Sequence, residues 1–180
     1  MAINFRSWQG SEQSTIEQLF RQTFANSEGA AEGEIVAGLV QKMMGSTPPA
    51  DIYGFVAEDQ SRLVGCIFFT RITFDDDLDL FILSPVAVAT DCQGTGVGQA
   101  LIKFGIAELR SKDVAGLFTY GDPAFYSRVG FQSVTEDQVK APFPLSQPIG
   151  WLYQGLKNIS PESLRGTPVC VSALSKPEYW

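Results

Sequence analysis

The chain has 180 residues, of which 44% are hydrophobic and 18% charged, the make-up of one folded domain that buries a core without disulfides or metal. With 20 acidic against 13 basic residues the net charge is −7, which repels a polyanion at long range, weighs against nucleic acid and favours a neutral or cationic partner, although solvated surface charge with no function accounts for the same number and is the first reading. No histidine is present, which removes the usual general base, the commonest metal ligand and any Ser-His or Cys-His nucleophile.

The opening MAINFRSWQG has neither a basic n-region nor an apolar h-region, and no later stretch reaches the roughly 18 apolar residues of a membrane span. The expectation is a cytoplasmic, unprocessed chain that does not touch a membrane. Residues Ile3 to Trp8 alternate apolar and polar as a half-buried strand does. Ser11 and Ser14, with Glu12 and Glu17 nearby, suit a helix start, and Ile16, Leu19, Phe20 and Phe24 form one stripe over Ser14 to Ala25. The small-residue stretch SEGAAEG reads as a linker to a second helix carrying Ile35, Leu39, Val40 and Met43, which the turn GSTPPAD closes.

From Tyr53 the texture becomes β-branched and aromatic. YGFVAED, RLVGCIFFTRITF and LDLFILSPVAVA, separated by DQS and FDDD, predict an antiparallel meander disturbed at Pro85, which has no N–H to give. Leu101, Ile102, Ile106 and Leu109 predict an amphipathic helix over Gln99 to Lys112. A strand over Ala115 to Tyr120 follows, then a short helix from Pro123 to Arg128 opened by Asp122 and stopped by Gly130, then a strand over Phe131 to Val134. Past Thr135 prolines and glycines interrupt the pattern, and IGWLYQGL and PVCVSAL predict two late strands. Cys66, Cys92 and Cys170 are too widely spaced for a disulfide framework or a zinc pair and read as small buried hydrophobes.

The chemistry concentrates in SPVAVATDCQGTGVGQALIKFGIAEL, a strand that runs through a glycine-rich turn into a helix. Such a turn offers backbone N–H groups at the positive end of the helix, and Gly94, Gly96 and Gly98 let phosphate oxygens approach the main chain. No Lys-Ser or Lys-Thr follows, so this is not a P-loop, and the position after three meander strands does not suit a dinucleotide fold. A turn with no ligand is the remaining alternative.

The order [QR]xxGxG/A, filled by Gln93, Gly96 and Gly98, together with GDPAFYSRVGF, which supplies Tyr126, Gly130 and Phe131, resembles the GNAT superfamily of N-acetyltransferases, and most of all its YhbS-like bacterial subgroup. The resemblance covers essentially the whole chain. It implies an α+β fold with a mixed, mostly antiparallel sheet, helices on its faces and splayed central strands, in a single domain over 1–180 whose residues 135–180 are a strand-rich extension. It further implies acetyl-CoA as co-substrate without a metal, and transfer of the acetyl group to a primary amine, of a small molecule or a peptide, by direct attack in a ternary complex.

By motif position, the Val86 N–H would serve the thioester oxyanion, Val88 would pair with the pantetheine, and Gln93, Gly94, Thr95, Gly96, Val97, Gly98 and Gln99 would hold the pyrophosphate. Tyr126 falls at the family's general acid; its other reading is a core aromatic beside Phe125 and Phe131. Ile82 stands where some members carry a glutamate, which leaves the base unassigned and motivates a rival reading, a non-catalytic acyl-CoA-binding or sensor module. Asp79 reads as part of a solvated turn and Asp122 as a cap rather than as bases, Arg128 as solvated, and Cys92 has no neighbouring base to make it a nucleophile. Family members wall the acceptor with the loop between the first two helices, here residues near Ala30 to Glu34, and with the segment Val139 to Tyr153. The apolar IGWLYQGL and the terminal Tyr179 and Trp180 suit either a homodimer contact or closure of the core.

Overall fold

The structure, a computed structural model, describes residues 2–180. The chain divides into two compact units, 1–68 with 85–105 and 69–84 with 106–180.

In the first unit β1 (Ile3–Ser7) runs antiparallel to β2 (Ile52–Asp59), with Phe5 opposite Ala57 and Ser7 opposite Phe55. Successive residues of a strand face opposite ways, and both faces are apolar here. Phe68, midway along β3 (Arg62–Thr73), stacks on Phe20 of α1 (Gln13–Glu28) at 6.1 Å, while Phe55 meets Phe104 of α3 (Val97–Ser111) edge-on at 5.7 Å. Gly54 is what lets the first face close, because a Cβ there would fall 2.5 Å from Trp8 and 2.7 Å from Phe68.

The expected linker SEGAAEG does not exist. α1 runs to Glu28, α2 (Ala30–Ser46) begins two residues later, and only Gly29, at φ +100, separates them. The small residues serve helix packing instead: a Cβ on Gly33 would sit 2.5 Å from the Arg21 carbonyl and 2.9 Å from the Ala25 Cβ. Ala30 to Glu34, expected in a loop against the acceptor, therefore form the first turns of α2.

In the second unit β4 (Leu80–Val88) pairs in parallel with β5 (Gly116–Tyr120) from Leu80↔Gly116 to Leu83↔Thr119. The pairing stops there although β4 stays extended to Val88, which bears out the disturbance expected at Pro85. β7 (Trp151–Gly155) lies antiparallel between β5 and the two-residue β6 (Gln132–Ser133). Phe118 stacks on Trp151 at 4.8 Å and on Phe74 at 5.5 Å. The last strand is shorter than PVCVSAL predicts: β8 is Val169–Cys170, paired with Ile72 and Thr73, after which Leu174 N–H bonds back to the Val171 carbonyl at 3.0 Å and the chain turns. The strand order is β1-β2-β3-β4-β5-β7-β6, with β8 on β3, so the sheet is mixed as the resemblance implies. No described helix is long and apolar enough to cross a membrane.

Candidate active site

At the end of β4 Val86 and Val88 are half-buried and alternate with buried Pro85 and Ala87, while Ile82 is 1% exposed and packed in the core, where an apolar side chain offers no base. Ala89 N–H bonds to the Val64 carbonyl at 2.8 Å, and the chain then makes a 3₁₀ turn, Thr90–Cys92. The Gln93 side chain folds back, its Nε2 donating to the Val88 carbonyl at 3.0 Å, so this residue ties the turn to the strand. The Thr95 hydroxyl donates to the Cys92 carbonyl at 2.5 Å.

Gly94 at φ +74 and Gly96 at φ +88 reverse the chain in the left-handed region. Nothing lies within 4 Å of a Cβ added at either, so what demands glycine is the backbone, and the space above it is open. The helix begins at Val97 rather than at the expected Gln99, which puts Val97, Gly98 and Gln99 in its first turn. The first main-chain bond of that turn is Ala100 N–H to the Gly96 carbonyl at 3.0 Å. The amides of Val97, Gly98 and Gln99 precede it and have no intrahelical acceptor, which leaves a cluster of donors at the positive end of a 15-residue helix.

Residues that sequence reasoning did not single out hold this turn from both sides. Arg62 makes two bonds of 2.8 Å to the Asp91 carboxylate and holds that carboxyl below its ordinary range. From α1, Asn26 Nδ2 donates to the Thr90 hydroxyl at 3.0 Å and the Thr23 hydroxyl to the Val88 carbonyl at 3.4 Å. Cys92 is buried, and burial, followed by the Asp91 charge, pushes its thiol up, away from the thiolate a nucleophile needs.

In the second unit the Asp122 carboxylate accepts the Ala124 N–H at 2.9 Å and caps α4 (Pro123–Tyr126), with proline at the first helical position. The expected helix to Arg128 ends at Tyr126 and tightens into a 3₁₀ turn, Ser127–Val129, which Gly130 closes at φ +101. Tyr126 is half-buried and has Phe125 at 5.0 Å and Phe131 at 6.0 Å, both edge-on. A Cβ on Gly121 would lie 2.6 Å from its ring, so that glycine admits the phenol against the main chain. Burial pushes the phenol up to about 12, the Thr119 hydroxyl works against that, and the Asp122 charge adds to it. Thr119 itself donates to the Leu83 carbonyl at 2.9 Å where the pairing of β4 with β5 ends. Asp79 is taken by Arg71 at 2.5 Å, and Arg128 is exposed.

The turn with Val86 and Val88 thus stands in the first unit and Tyr126 in the second. Residues 50–133 match the acetyltransferase (GNAT) domain family. The chain is 28% identical over 131 residues to the Escherichia coli N-acetyltransferase YhbS, covering 72% of this chain and 73% of that one. Among solved structures, YhbS from Escherichia coli in complex with CoA superposes with a TM-score of 0.84 at 22% identity, covering 97% of this chain and 92% of that one. A GNAT acetyltransferase from Brucella melitensis in complex with acetyl-CoA gives 0.72 at 22% identity, covering 95% and 97%. The Escherichia coli K12 N-acetyltransferase YjhQ is 33% identical over 166 residues, 89% of this chain and 87% of that one, and likeness sustained along both chains makes this one a member of the GNAT family of N-acetyltransferases.

Proposed function

We propose that the chain transfers the acetyl group of acetyl-CoA to a primary amine by direct attack in a ternary complex, as one catalytic domain over 1–180 with 135–180 its extension. The observation that carries this reading is the turn Gln93–Gln99: donors at a helix start, two open left-handed glycines, and a frame braced by Gln93, Asn26 and the Arg62–Asp91 pair. Donors fixed in advance need no reorganisation when an anion arrives, which suits a pyrophosphate. That two structural neighbours were solved with CoA and with acetyl-CoA supports the same ligand here.

In this reading the amides of Gly94 to Gln99 take the pyrophosphate. Gln93 shapes the turn through its side chain, Val88 lines the pantetheine, and the Val86 N–H meets the oxyanion. The amine nitrogen bonds to the thioester carbonyl carbon, the carbon–sulfur bond breaks, and the sulfur leaves toward the Tyr126 O–H. An acceptor that arrives as an ammonium gives one proton to water before it attacks, the nitrogen sheds another to water as the new bond forms, and CoA leaves as a thiolate hydrogen-bonded to the phenol. A phenol at about 12 gives its proton to a thiolate of about 8.5 only uphill, by roughly 5 kcal/mol for complete transfer. Tyr126 therefore acts chiefly as a hydrogen-bond donor that strengthens as charge grows on sulfur.

The test is calorimetric titration with acetyl-CoA, with CoA and NAD as controls, followed by CoA release over a panel of primary amines. Expected are binding of both CoA species and not of NAD, and loss of turnover by about 10²-fold or more in Tyr126→Phe with acetyl-CoA affinity unchanged. A folded chain that ignores acetyl-CoA defeats the proposal, and binding without turnover of any amine leaves the acyl-CoA module in its place.

A further inference from the structure

The second unit holds a cavity of about 540 Å³ whose walls come from the end of β5 and from the segment before β7. Tyr120, Asp122, Pro123, Ser146, Gln147 and Ile149 line it, and among these described residues Asp122 alone is charged. Gly121, also in its wall, is the residue against which the Tyr126 ring lies. Its shape is held by Tyr120, whose hydroxyl accepts the Gln147 N–H at 2.7 Å and shares a hydrogen bond of 3.1 Å with the Ser146 hydroxyl.

Three features of the lining select a ligand. The Asp122 carboxylate uses one oxygen to cap α4, and its second oxygen is free to receive a cation without loss of the cap. The Tyr120 ring adds an aromatic wall, which attracts an ammonium and an apolar body alike. Ile149 is 73% exposed at the cavity wall, where an apolar ligand would cover it. An anion would meet the carboxylate with no positive side chain in the lining to offset it.

From these we infer that the cavity seats the acyl acceptor, and that the acceptor class is a primary ammonium carried on a short apolar or aromatic body, with Asp122 as its counter-ion and Tyr120 and Ile149 as the walls for that body. The inference rests on the acetyltransferase reading above for what happens to the amine, but the binding step stands without acetyl-CoA. Because the Asp122 charge also acts on Tyr126, the residue that recognises the cation sits within electrostatic reach of the hydrogen-bond donor.

Three probes of one shape separate charge from size: phenethylamine, 2-phenylethanol and phenylacetate, each titrated by protein-observed NMR into the chain without acetyl-CoA. Phenethylamine is expected to bind about fivefold more tightly than the alcohol, the scale of a partly exposed ion pair, and phenylacetate to bind least. Asp122→Asn keeps an oxygen for the Ala124 cap and removes the charge, so the ammonium and the alcohol should then bind alike while the fold is retained. Ile149→Ser should weaken the ammonium and the alcohol together. Charge-blind binding in the wild type, an undiminished ammonium preference in Asp122→Asn, or no binding of any probe overturns the assignment. Failure of acetyl-CoA to bind, measured separately, strikes the transfer chemistry and leaves the three-probe result as it stands.

Discussion

Tyr126 is asked for a hydrogen bond by the proposed chemistry and is held protonated by its surroundings. Tyr153 shares that condition: its hydroxyl donates to the Ile159 carbonyl at 2.9 Å, and burial pushes it too up to about 12. In the unfolded chain both lose the proton near 10, so the native state binds more protons in that interval and stability falls as pH rises from about 10 through 12, by about 1.4 kcal/mol per pH step for each group. Denaturant midpoints at pH 9 and pH 11, read beside the phenolate absorbance, should show two of the five tyrosines ionising late and together with unfolding. Tyr126→Phe should shrink the loss between the two pH values; five tyrosines titrating in one step in a folded chain would refute it. At this scale the site was legible where it is local. Gln93, Gly94, Gly96 and Asp122 work within a few residues of their partners, whereas Arg62 reaches Asp91 across 29 positions and Asn26 reaches Thr90 across 64, and no spacing rule connects residues so far apart.

The elements that carried a period came out as read, and those that did not were set by packing. α3 and β7 have a regular apolar pattern and appear with boundaries displaced by one or two residues. SEGAAEG looks like a linker because small residues also fill linkers, yet here they let two helices touch. The late segment is legible only as far as its hydrogen-bonded ladder extends, and the rest is fixed by side chains, Trp180 above all. Its indole N–H donates to the Leu174 carbonyl at 3.0 Å, its ring stacks on Tyr120 at 6.0 Å and meets Trp151 edge-on at 6.1 Å, and it is 6% exposed. Trp180→Ala should cost about 3–5 kcal/mol, which for a chain of this size lowers Tm by roughly 10 °C, and Trp180→Phe should cost less because it keeps the stacking and loses only the bond. Calorimetric scans of both variants measure this, and an unchanged Tm in Trp180→Ala would show that the segment adds nothing to the core. Because Trp180 backs Tyr120, the alanine variant should also weaken phenethylamine binding, an effect that phenylalanine should largely restore.

For the whole molecule the governing quantity is the net charge of −7. The two proposed substrates carry opposite charge, so the field of the chain must treat them oppositely: it repels the phosphates of acetyl-CoA at long range and draws in an ammonium. Screening tells the two apart, since the Debye length falls from about 30 Å at 0.01 M salt to about 8 Å at 0.15 M. Over that range kcat/KM for acetyl-CoA, measured at saturating amine, should rise, and kcat/KM for a cationic amine at saturating acetyl-CoA should fall. A neutral-body amine and a diamine sharpen the comparison, the diamine falling more steeply because it carries more charge into the same field. If both constants instead moved in the same direction, salt would be acting on the protein rather than on encounter, and the acidic surface would have no part in choosing the acceptor. Opposite slopes would mean that the charge balance read from the sequence favours the acceptor before Asp122 ever meets it, while the donors of the Gln93–Gln99 turn work against that repulsion at short range.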